Sequence, residues 1–339
     1  MVVVMQPDAD TQHVDAVEAR LRDCGLAIHR SRGVAYTILG AIGDKRGVDP
    51  KNVEAMPGVR EVVEISEPYK LASRTFHPEG TVIDLDGAAI GNGSLALMAG
   101  PCSVEHPERM HEIARHVAEQ GGTVLRGGAF KPRTSPHSFQ GLGEEGLKTL
   151  REAADANGLR VVTEAMCPSQ VDLVAQYADV VQIGARNMQN YRLLEAVGEL
   201  ATPVLLKRGL SAKFDEWLLA AEYVMSGGNR DVILCERGIR TFGDHTRFTL
   251  DVGAIAVAKG RSHLPVVVDP SHAAGHRDLV IPLALAGVAA GADGVIVEVH
   301  TEPEHAWSDG PQALTPPMWA ELASRLTAQG PVRATVEAA

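Results

Sequence analysis

The sequence predicts an α/β protein, a (β/α)8 TIM barrel preceded by a small ferredoxin-like α+β domain. From residue 95 onward, apolar runs of strand length alternate with helical segments through eight units in about 240 residues, as in (β/α)8 barrels. Residues 1–66 instead read βαββαβ, the ferredoxin-like order. The length of 339 residues fits one large and one small domain, and 45% hydrophobic residues suffice for a sizeable core.

The elements of the first domain follow from local periodicity. We predict strands over 2–5, 26–29, 34–39 and 59–65, and a weak helix over 48–56. A helix is expected over 10–23, because Val14, Val17 and Leu21 recur at helical spacing. Prolines and glycines in 67–94 indicate a linker, with a short hairpin over 82–85 and 88–90. The predicted domains are therefore 1–66, a linker over 67–94, and a barrel over 95–339.

The barrel elements are apolar runs, each followed by a helical pattern. The predicted strands are 95–99, 123–126, 160–164, 180–183, 204–207, 232–235, 265–269 and 294–298. The helices centre near 113, 150, 173, 194, 219, 255, 284 and 321. A doubly wound open sheet is the alternative, but the first turn, GPCS at 100–103, lacks the GxGxxG pattern expected there.

Bulk composition narrows the classes of partner. The formal net charge of −11 argues against general binding to nucleic acid or anionic membranes. No apolar run reaches the roughly 18 residues that a membrane span needs, and the N-terminus does not resemble a signal peptide. The four cysteines form neither a CxxC pair nor a disulfide framework. We therefore expect a cytoplasmic protein without nucleic-acid or membrane partners.

The loop after the second barrel strand, LRGGAFKPRTSPHSFQGLG at 125–143, is basic and framed by glycine and proline. It contains Arg126, Lys131 and Arg133 and no acidic residue. Such cations in a rigid loop commonly hold phosphate or carboxylate, although a solvated basic surface loop is the alternative. Because function gathers at the C-terminal ends of barrel strands, the loop predicts an anion site there.

The other strand ends are also polar and form two chemical groups. The cations are Arg126, Lys131, Arg186, Lys207 and Arg237, with Arg133 close by. The second group is Cys102, His272, Glu298 and Asp309, a thiol, an imidazole and two carboxylates that suit a divalent transition metal. Any single residue here could instead be a structural ion pair, a capping histidine or a buried thiol. Collected on adjacent strands, they favour an anionic ligand and a metal.

At these residues the chain resembles the 3-deoxy-D-arabino-heptulosonate 7-phosphate (DAHP) synthases, in the group related to KDO-8-phosphate synthase that carries an N-terminal ferredoxin-like domain. The resemblance covers the whole chain and rests on AGPCSVE (99–105), LRGGAFKPRTSPHSFQGLG (125–143), VVTEAM (161–166), QIGARN (182–187), LLKRG (205–209), CERGIRTF (235–242), VDPSHAAGHRDLV (268–280) and VEVHTEPEHAWSDG (297–310). KPRTS at 131–135 separates the family from KDO-8-phosphate synthases. His137 departs from the aromatic residue that relatives commonly have, which could alter loop packing.

The resemblance implies condensation of phosphoenolpyruvate with D-erythrose 4-phosphate and water to give DAHP and phosphate, the first step of the shikimate pathway. It implies phosphoenolpyruvate binding by Arg126, Lys131, Gly184, Ala185, Arg186, Lys207 and Arg237, and binding of the aldose phosphate by Pro132, Arg133, Thr134, Ser135 and Asp309. Cys102, His272, Glu298 and Asp309 would hold the metal, expected to be Mn2+, with Fe2+, Co2+ or Zn2+ as alternatives. Lys131, Glu164 and His272 are unranked candidates for proton transfer.

The N-terminal domain resembles a regulatory domain for feedback inhibition by tyrosine or phenylalanine, with His29 and Ser31 at the effector positions. Both could equally be ordinary surface residues. The family also implies a homotetramer and a possible chorismate mutase partner. The rival functions are a KDO-8-phosphate synthase and a catalytically silent phospho-sugar-binding partner protein, but the sequence lacks none of the expected metal ligands or pocket cations.

Overall fold

The computed structural model describes residues 1–33, 36–43, 47–63, 68–91, 93–132, 135 and 137–331. The chain divides into two compact units. One comprises 1–80 with 261–263, and the other comprises 81–260 with 264–339. Arg133 and Thr134, both predicted to bind the aldose phosphate, lie outside the described residues.

In its described residues, the first unit has a four-stranded antiparallel sheet and two α-helices. Its elements are β1 Val2–Met5, α1 Thr11–Asp23, β2 Ala27–Arg32, β3 Thr37–Ile42, α2 Pro50–Glu54 and β4 Val59–Val63. The strand order β2-β3-β1-β4 confirms the predicted ferredoxin-like fold. Helix α1 begins where the Asp10 side chain accepts the His13 amide at 2.8 Å, and it buries Val14, Val17 and Leu21 as predicted.

Strand β3 begins later than the predicted 34–39. Gly33 donates its amide to Tyr36 O at 2.9 Å, and the pairing of β3 with β2 starts at Thr37. Gly40 lies opposite His29 in this pairing. A Cβ at Gly40 would lie 2.1 Å from the Phe76 ring, so the glycine is what lets that ring pack on the strand.

The second unit is a closed barrel of parallel strands, and in the described residues it has eight of them, which confirms the predicted barrel. The strands are β7 Ala96–Gly100, β8 Val124–Arg126, β9 Arg160–Glu164, β10 Val180–Ile183, β11 Val204–Lys207, β12 Val232–Glu236, β13 Val266–Val268 and β14 Gly294–Glu298. The helices are α3 Pro107–Glu119, α4 Glu144–Asp155, α5 Val171–Ala175, α6 Tyr191–Gly198, α7 Phe214–Ser226, α8 Val252–Arg261, α9 Pro270–Ala274, α10 Val280–Ala289 and α11 Pro316–Gln329.

The barrel interior is filled with apolar side chains. A short hairpin, β5 Ile83–Asp84 and β6 Ala89–Ile90, adds Ile83, Leu85 and Ile90 to the same buried cluster as Met98 and Val162 of the strands. A packed interior leaves the loops at the strand ends as the place for a ligand.

Two strand ends are drawn together at Gly100, the last residue of β7. A Cβ there would lie 2.0 Å from Arg126 O, and φ is +152°, so only glycine fits. The close approach brings the Cys102 loop beside the basic loop. Within the described part of the chain, no helix combines the length and apolar character needed to cross a membrane.

Candidate active site

A cavity of about 320 Å³ lies at the C-terminal ends of the barrel strands. Its wall brings together twelve of the residues singled out by sequence: Arg126, Lys131, Pro132, Ser135, Glu164, Gly184, Ala185, Arg186, Lys207, Arg237, His272 and Asp309. Sequence reasoning missed five further lining residues: Ser138, Gln182, Leu210, Arg247 and Phe248. The cavity therefore combines residues contributed by many different strand ends.

Beside this cavity, three of the four predicted metal ligands form a tight cluster. The ligand atoms of Cys102, Glu298 and Asp309 all lie within 4.8 Å of one another. The Cys102 thiol donates to Asp309 Oδ2 at 3.2 Å. His272 lies outside this cluster, but its Nε2 is 3.4 Å from Glu298 Oε1. Atoms bound to one ion at bond lengths near 2 Å lie roughly 3–4 Å apart, so the donor set fits a divalent metal.

Burial controls the charge on the thiol. Desolvation and the nearby Glu298 carboxylate raise the pKa of Cys102 to about 11, against the opposing effect of Lys131. Lys131 Nζ donates to Cys102 Sγ at 3.0 Å and to Cys102 O at 2.7 Å. Without a cation in the cluster the thiol keeps its proton near neutral pH, and a bound metal would displace it.

Asp269 orients the imidazole of His272. Its Oδ2 is 2.8 Å from His272 Nδ1, and its Oδ1 accepts the His272 amide at 3.0 Å. The carboxylate assigns the ring proton to Nδ1, which leaves the Nε2 lone pair toward Glu298. Burial lowers the pKa of His272 despite the attraction of Asp269. A neutral imidazole with a free Nε2 is the form that ligates metals.

The same Asp269 carboxylate is paired with Lys207, whose Nζ donates to Oδ2 at 2.5 Å. Burial would raise the pKa of Asp269, but His272 and Lys207 outweigh it and hold the pKa well below its usual range. One buried carboxylate thus links a cavity cation to a predicted metal ligand.

Glu298 is held by three partners. Arg126 donates to its Oε1 at 2.8 Å, Gln312 donates to its Oε2 at 2.8 Å, and the Glu298 amide donates to Ser271 Oγ at 3.0 Å. Burial would raise the pKa of Glu298, but His272 and Arg126 outweigh burial and lower it. Arg126 therefore neutralises a predicted metal ligand as well as lining the cavity.

Glu164 presents one unpaired oxygen. Its Oε2 accepts from Gln182 Nε2 at 3.1 Å, whereas the buried Oε1 has no hydrogen-bond partner among the described residues. A Cβ on Gly184 would lie 2.1 Å from that Oε1. Gly184 therefore makes the space in which the carboxylate sits.

Arg237 and Arg247 both lie close to the ring of Phe248. The guanidinium carbon of Arg237 is 4.6 Å from the ring centroid, and that of Arg247 is 5.9 Å away. Nη1 of Arg237 is buried without a hydrogen-bond partner in the described structure. Arg247 donates to Asp309 Oδ1 at 3.3 Å and to Gln312 Oε1 at 2.9 Å. A cation with an unused donor in a cavity wall is suited to an anionic ligand.

The two predicted regulatory residues lie in the first unit on the same strand, β2. The His29 ring stacks on Phe76 with centroids 5.0 Å apart. Ser31 lines a separate cavity of about 190 Å³ with Tyr36, Ile38 and His77.

Comparison with known families gives two matches that together cover most of the chain. Residues 75–330 match the model of the DAHP synthetase I family, and residues 1–67 match the DAHP synthase ferredoxin-like domain.

Individual relatives agree with these matches. A phospho-2-dehydro-3-deoxyheptonate aldolase of Thermotoga maritima is 52% identical over 326 residues, covering 96% of each chain. A 2-dehydro-3-deoxyphosphooctonate aldolase of Desulfatibacillum aliphaticivorans is 33% identical, covering 70% of this chain and 93% of its own. The crystal structure of a Thermotoga maritima DAHP synthase superposes with a TM-score of 0.77 at 52% identity, covering 97% of this chain and 96% of its own. A truncated form of the Thermotoga maritima enzyme gives a TM-score of 0.73 at 52% identity, covering 77% of this chain and 96% of that one.

Proposed function

Because the chain belongs to the DAHP synthetase I family and carries the ferredoxin-like domain of DAHP synthases, we propose that it condenses phosphoenolpyruvate with D-erythrose 4-phosphate and water. The products are DAHP and inorganic phosphate, and the reaction is the first step of the shikimate pathway. The observation that carries the proposal is a cavity rich in cations that adjoins a Cys, Glu and Asp donor cluster.

Phosphoenolpyruvate carries a carboxylate and a phosphate, and the cavity offers matching cations. Arg186, Lys207, Lys131 and Arg237 line the wall, and Arg237 Nη1 has no protein partner among the described residues. Since burial lowers the pKa of the Arg237 guanidinium, an incoming anion would relieve the cost of holding that charge away from water. Arg126, Gly184 and Ala185 complete the proposed subsite.

The aldose phosphate would lie nearer the basic loop. Pro132, Ser135 and Asp309 line the same cavity, and Arg133 and Thr134 come between Pro132 and Ser135 in sequence. The aldehyde end would then lie toward the donor cluster, which includes Asp309, and the phosphate end toward the loop.

Cys102, His272, Glu298 and Asp309 would hold a divalent metal, with Mn2+ preferred over Fe2+, Co2+ or Zn2+. When bound, such an ion supplies Lewis-acid polarisation of an aldehyde oxygen. Asp269 orients His272, and Arg126 and Gln312 fix Glu298, so the donors are held in place by the protein.

The condensation forms one C–C bond and one C–O bond, the latter from water, and breaks the C2–O bond to phosphate. C3 of phosphoenolpyruvate attacks the aldehyde carbon, water adds at C2, and the C2–O bond then breaks to release phosphate and leave a ketone. Glu164 Oε1, buried and unpaired, is suited to take the proton of the attacking water. Lys131 is the nearby donor for the new hydroxyl, whereas His272 is committed to Asp269 and to the donor cluster. Holding both substrates in one cavity supplies much of the catalysis through positioning.

A two-aldose assay tests the substrate assignment. Purified protein with Mn2+ and phosphoenolpyruvate should release phosphate rapidly with erythrose 4-phosphate and much more slowly with arabinose 5-phosphate. Faster turnover of arabinose 5-phosphate would make the protein an octonate-forming enzyme, the activity in the names of the 33% identical relatives. No phosphate release with either aldose would favour a silent binding protein.

Feedback regulation belongs to the same proposal. Tyrosine or phenylalanine would bind the ferredoxin-like unit near His29 and Ser31, in a cytoplasmic homotetramer that also offers a surface for a chorismate mutase. Deleting residues 1–66 should abolish inhibition and leave catalysis; a truncated enzyme still inhibited by tyrosine would refute the assignment. The structure of a truncated form of the Thermotoga maritima relative has been solved, so a truncated version of this chain is a practical protein for this experiment.

A further inference from the structure

Glu105 is a buried carboxylate outside the cavity wall, and it binds three separate groups. Its Oε1 accepts the backbone amide of Trp307 at 2.7 Å. Its Oε2 accepts from Arg109 at 3.1 Å and lies 3.3 Å from His300 Nε2. Both Glu105 and His300 are almost fully buried, at 2% and 1% exposure. The position of this carboxylate is therefore fixed from several directions.

The partners of Glu105 lie close in sequence to the residues of the donor cluster. Glu105 itself follows Cys102 by three residues, His300 follows Glu298 by two, and Trp307 precedes Asp309 by two. One carboxylate thus ties together the three chain segments that carry Cys102, Glu298 and Asp309. A second tie runs alongside, because the buried hydroxyls of Ser103 and Ser308 are hydrogen-bonded to each other.

The loop from Trp307 to Asp309 needs such a link to the barrel. Asp309 has a left-handed backbone, with φ at +49°, which is uncommon for a residue other than glycine. It lies in a loop between two short 3-10 turns rather than on a strand, unlike Glu298. The hydrogen bond from the Trp307 backbone amide to Glu105 is a direct polar link from this loop to the start of the barrel.

The protonation of the network is consistent with a permanent carboxylate. His300 Nδ1 accepts the Glu302 amide at 3.0 Å, so its ring proton is on Nε2, the atom that faces Glu105. Burial would raise the pKa of Glu105, but the bonds from His300 and the Trp307 amide outweigh burial and lower it.

We propose that Glu105 is a positioning residue for the metal centre, which holds the segments of Cys102, Glu298 and Asp309 in register through His300 and the Trp307 amide. The inference rests on the metal site of the proposed function. It predicts that Glu105 governs metal affinity although this residue belongs neither to the donor cluster nor to the cavity wall. Outer-shell partners of this kind change metal affinity by roughly 10–100-fold when removed.

The alternative is that Glu105 acts only through its charge, which attracts a cation through space. The variant Glu105→Asp separates the two. It keeps the charge but withdraws the carboxylate by one methylene, about 1.5 Å, which is enough to break a hydrogen bond. Positioning predicts that Glu105→Asp loses affinity almost as much as Glu105→Ala, whereas a charge effect predicts affinity near that of the wild type.

Asp293→Asn is the matched control. Asp293 also accepts a backbone amide, Val266 N at 2.8 Å, and a cation, Lys259 at 2.6 Å. It precedes β14 at the N-terminal end of the barrel, roughly 16 Å along the strand from Glu298. This variant should lower thermal stability and leave metal affinity unchanged.

The experiment is titration of the full-length, chelator-stripped protein with Mn2+ or Co2+ alone, followed by calorimetry or paramagnetic resonance. Glu105→Asp and Glu105→Ala should each weaken binding by roughly 10–100-fold, with turnover regained at saturating metal. Wild-type affinity in Glu105→Asp would overturn the inference, as would an equal loss in Asp293→Asn or a wild-type protein that binds neither ion. If Glu105→Ala does not fold, the conservative Glu105→Asp decides. A wild-type protein that binds metal but releases no phosphate would refute the reaction and leave this inference standing.

Discussion

Replacing Asp269 by asparagine should damage both stability and the metal centre, because one buried carboxylate serves Lys207 and His272. In the carboxylate, Oδ2 accepts hydrogen bonds from Lys207 Nζ at 2.5 Å and from His272 Nδ1 at 2.8 Å. An asparagine NH2 group in the place of Oδ2 can accept neither. If the asparagine NH2 faces the ring, the imidazole proton moves to Nε2, the atom 3.4 Å from Glu298 Oε1. A protonated Nε2 cannot ligate a metal.

The magnitude follows from burial. Lys207 is 4% exposed and Asp269 is 1% exposed. Removing one partner of a buried pair costs about 3–5 kcal/mol. At about 2 °C per kcal/mol for a large domain, the unfolding midpoint should fall by about 6–10 °C. Loss of the ring orientation should weaken metal binding by roughly 10–100-fold.

Thermal unfolding and Mn2+ titration of Asp269→Asn measure the two effects, with Asp293→Asn as the control for general destabilisation. The wild-type pair should also weaken in acid. The pKa of Asp269 is held below its usual range, so its contribution is complete above about pH 4 and is lost as pH falls further. An Asp269→Asn protein with unchanged midpoint and unchanged Mn2+ affinity would refute this account of the carboxylate.

Four further predictions concern separate parts of the site. Cys102→Ser should keep the circular dichroism of the wild type and lose more metal affinity than the roughly 10–100-fold of outer-shell changes; metal-independent full activity would contradict it. In the wild type, metal binding at pH 7 should release about one proton, because the pKa of Cys102 is raised to about 11 while the pKa values of the other predicted ligands are lowered; calorimetry in buffers of different ionisation enthalpy should show it, and no release would contradict the thiol assignment. Gly184→Ala should reduce kcat by roughly 100-fold without changing metal affinity, because its Cβ would lie 2.1 Å from Glu164 Oε1; an unchanged kcat would remove Glu164 from the mechanism. Arg133→Ala should raise the KM for the aldose phosphate by about 10–100-fold and leave that for phosphoenolpyruvate unchanged; equal effects would mean that the loop serves the other substrate.

The barrel was predictable because each strand is an apolar run with a helix after it. Strand β12, for example, was expected over 232–235 and spans Val232–Glu236. The continuous apolar run VAYTIL at 34–39 predicts that β3 starts at residue 34, whereas pairing with β2 starts only at Thr37. Burial pattern therefore identifies the strands well, and local turn geometry sets their first residues.

The candidate site was predictable to the extent that its residues end strands. Lys131, Glu164 and His272, far apart in sequence, line one cavity as the barrel prediction required. Arg247 was missed because it lies in an irregular loop, where nothing in the sequence shows that it will reach Asp309. The backbone amide of Arg247 donates a hydrogen bond to Ala274 O, so Arg247 lies beside helix α9, which carries His272. This contact is visible only in three dimensions.

The hydrogen bonds that hold the predicted metal ligands in place are the part of the site that a single sequence shows least. Asp269 is the last residue of the predicted strand 265–269, but its double link to Lys207 and His272 depends on side-chain geometry. The bond between Glu105 and Trp307 joins residues 202 positions apart. Because neither residue belongs to a charge cluster or a ligand spacing, periodicity and composition carry no signal for it.

The central claim is that this cavity joins phosphoenolpyruvate to an aldose phosphate with the help of a metal bound at Cys102, His272, Glu298 and Asp309. The most direct measurement is phosphate release by chelator-treated protein, with each substrate and Mn2+ omitted in turn. The account predicts one phosphate per phosphoenolpyruvate consumed, only when erythrose 4-phosphate and metal are both present. Phosphate released from phosphoenolpyruvate alone, or turnover that persists undiminished in chelator, would contradict it.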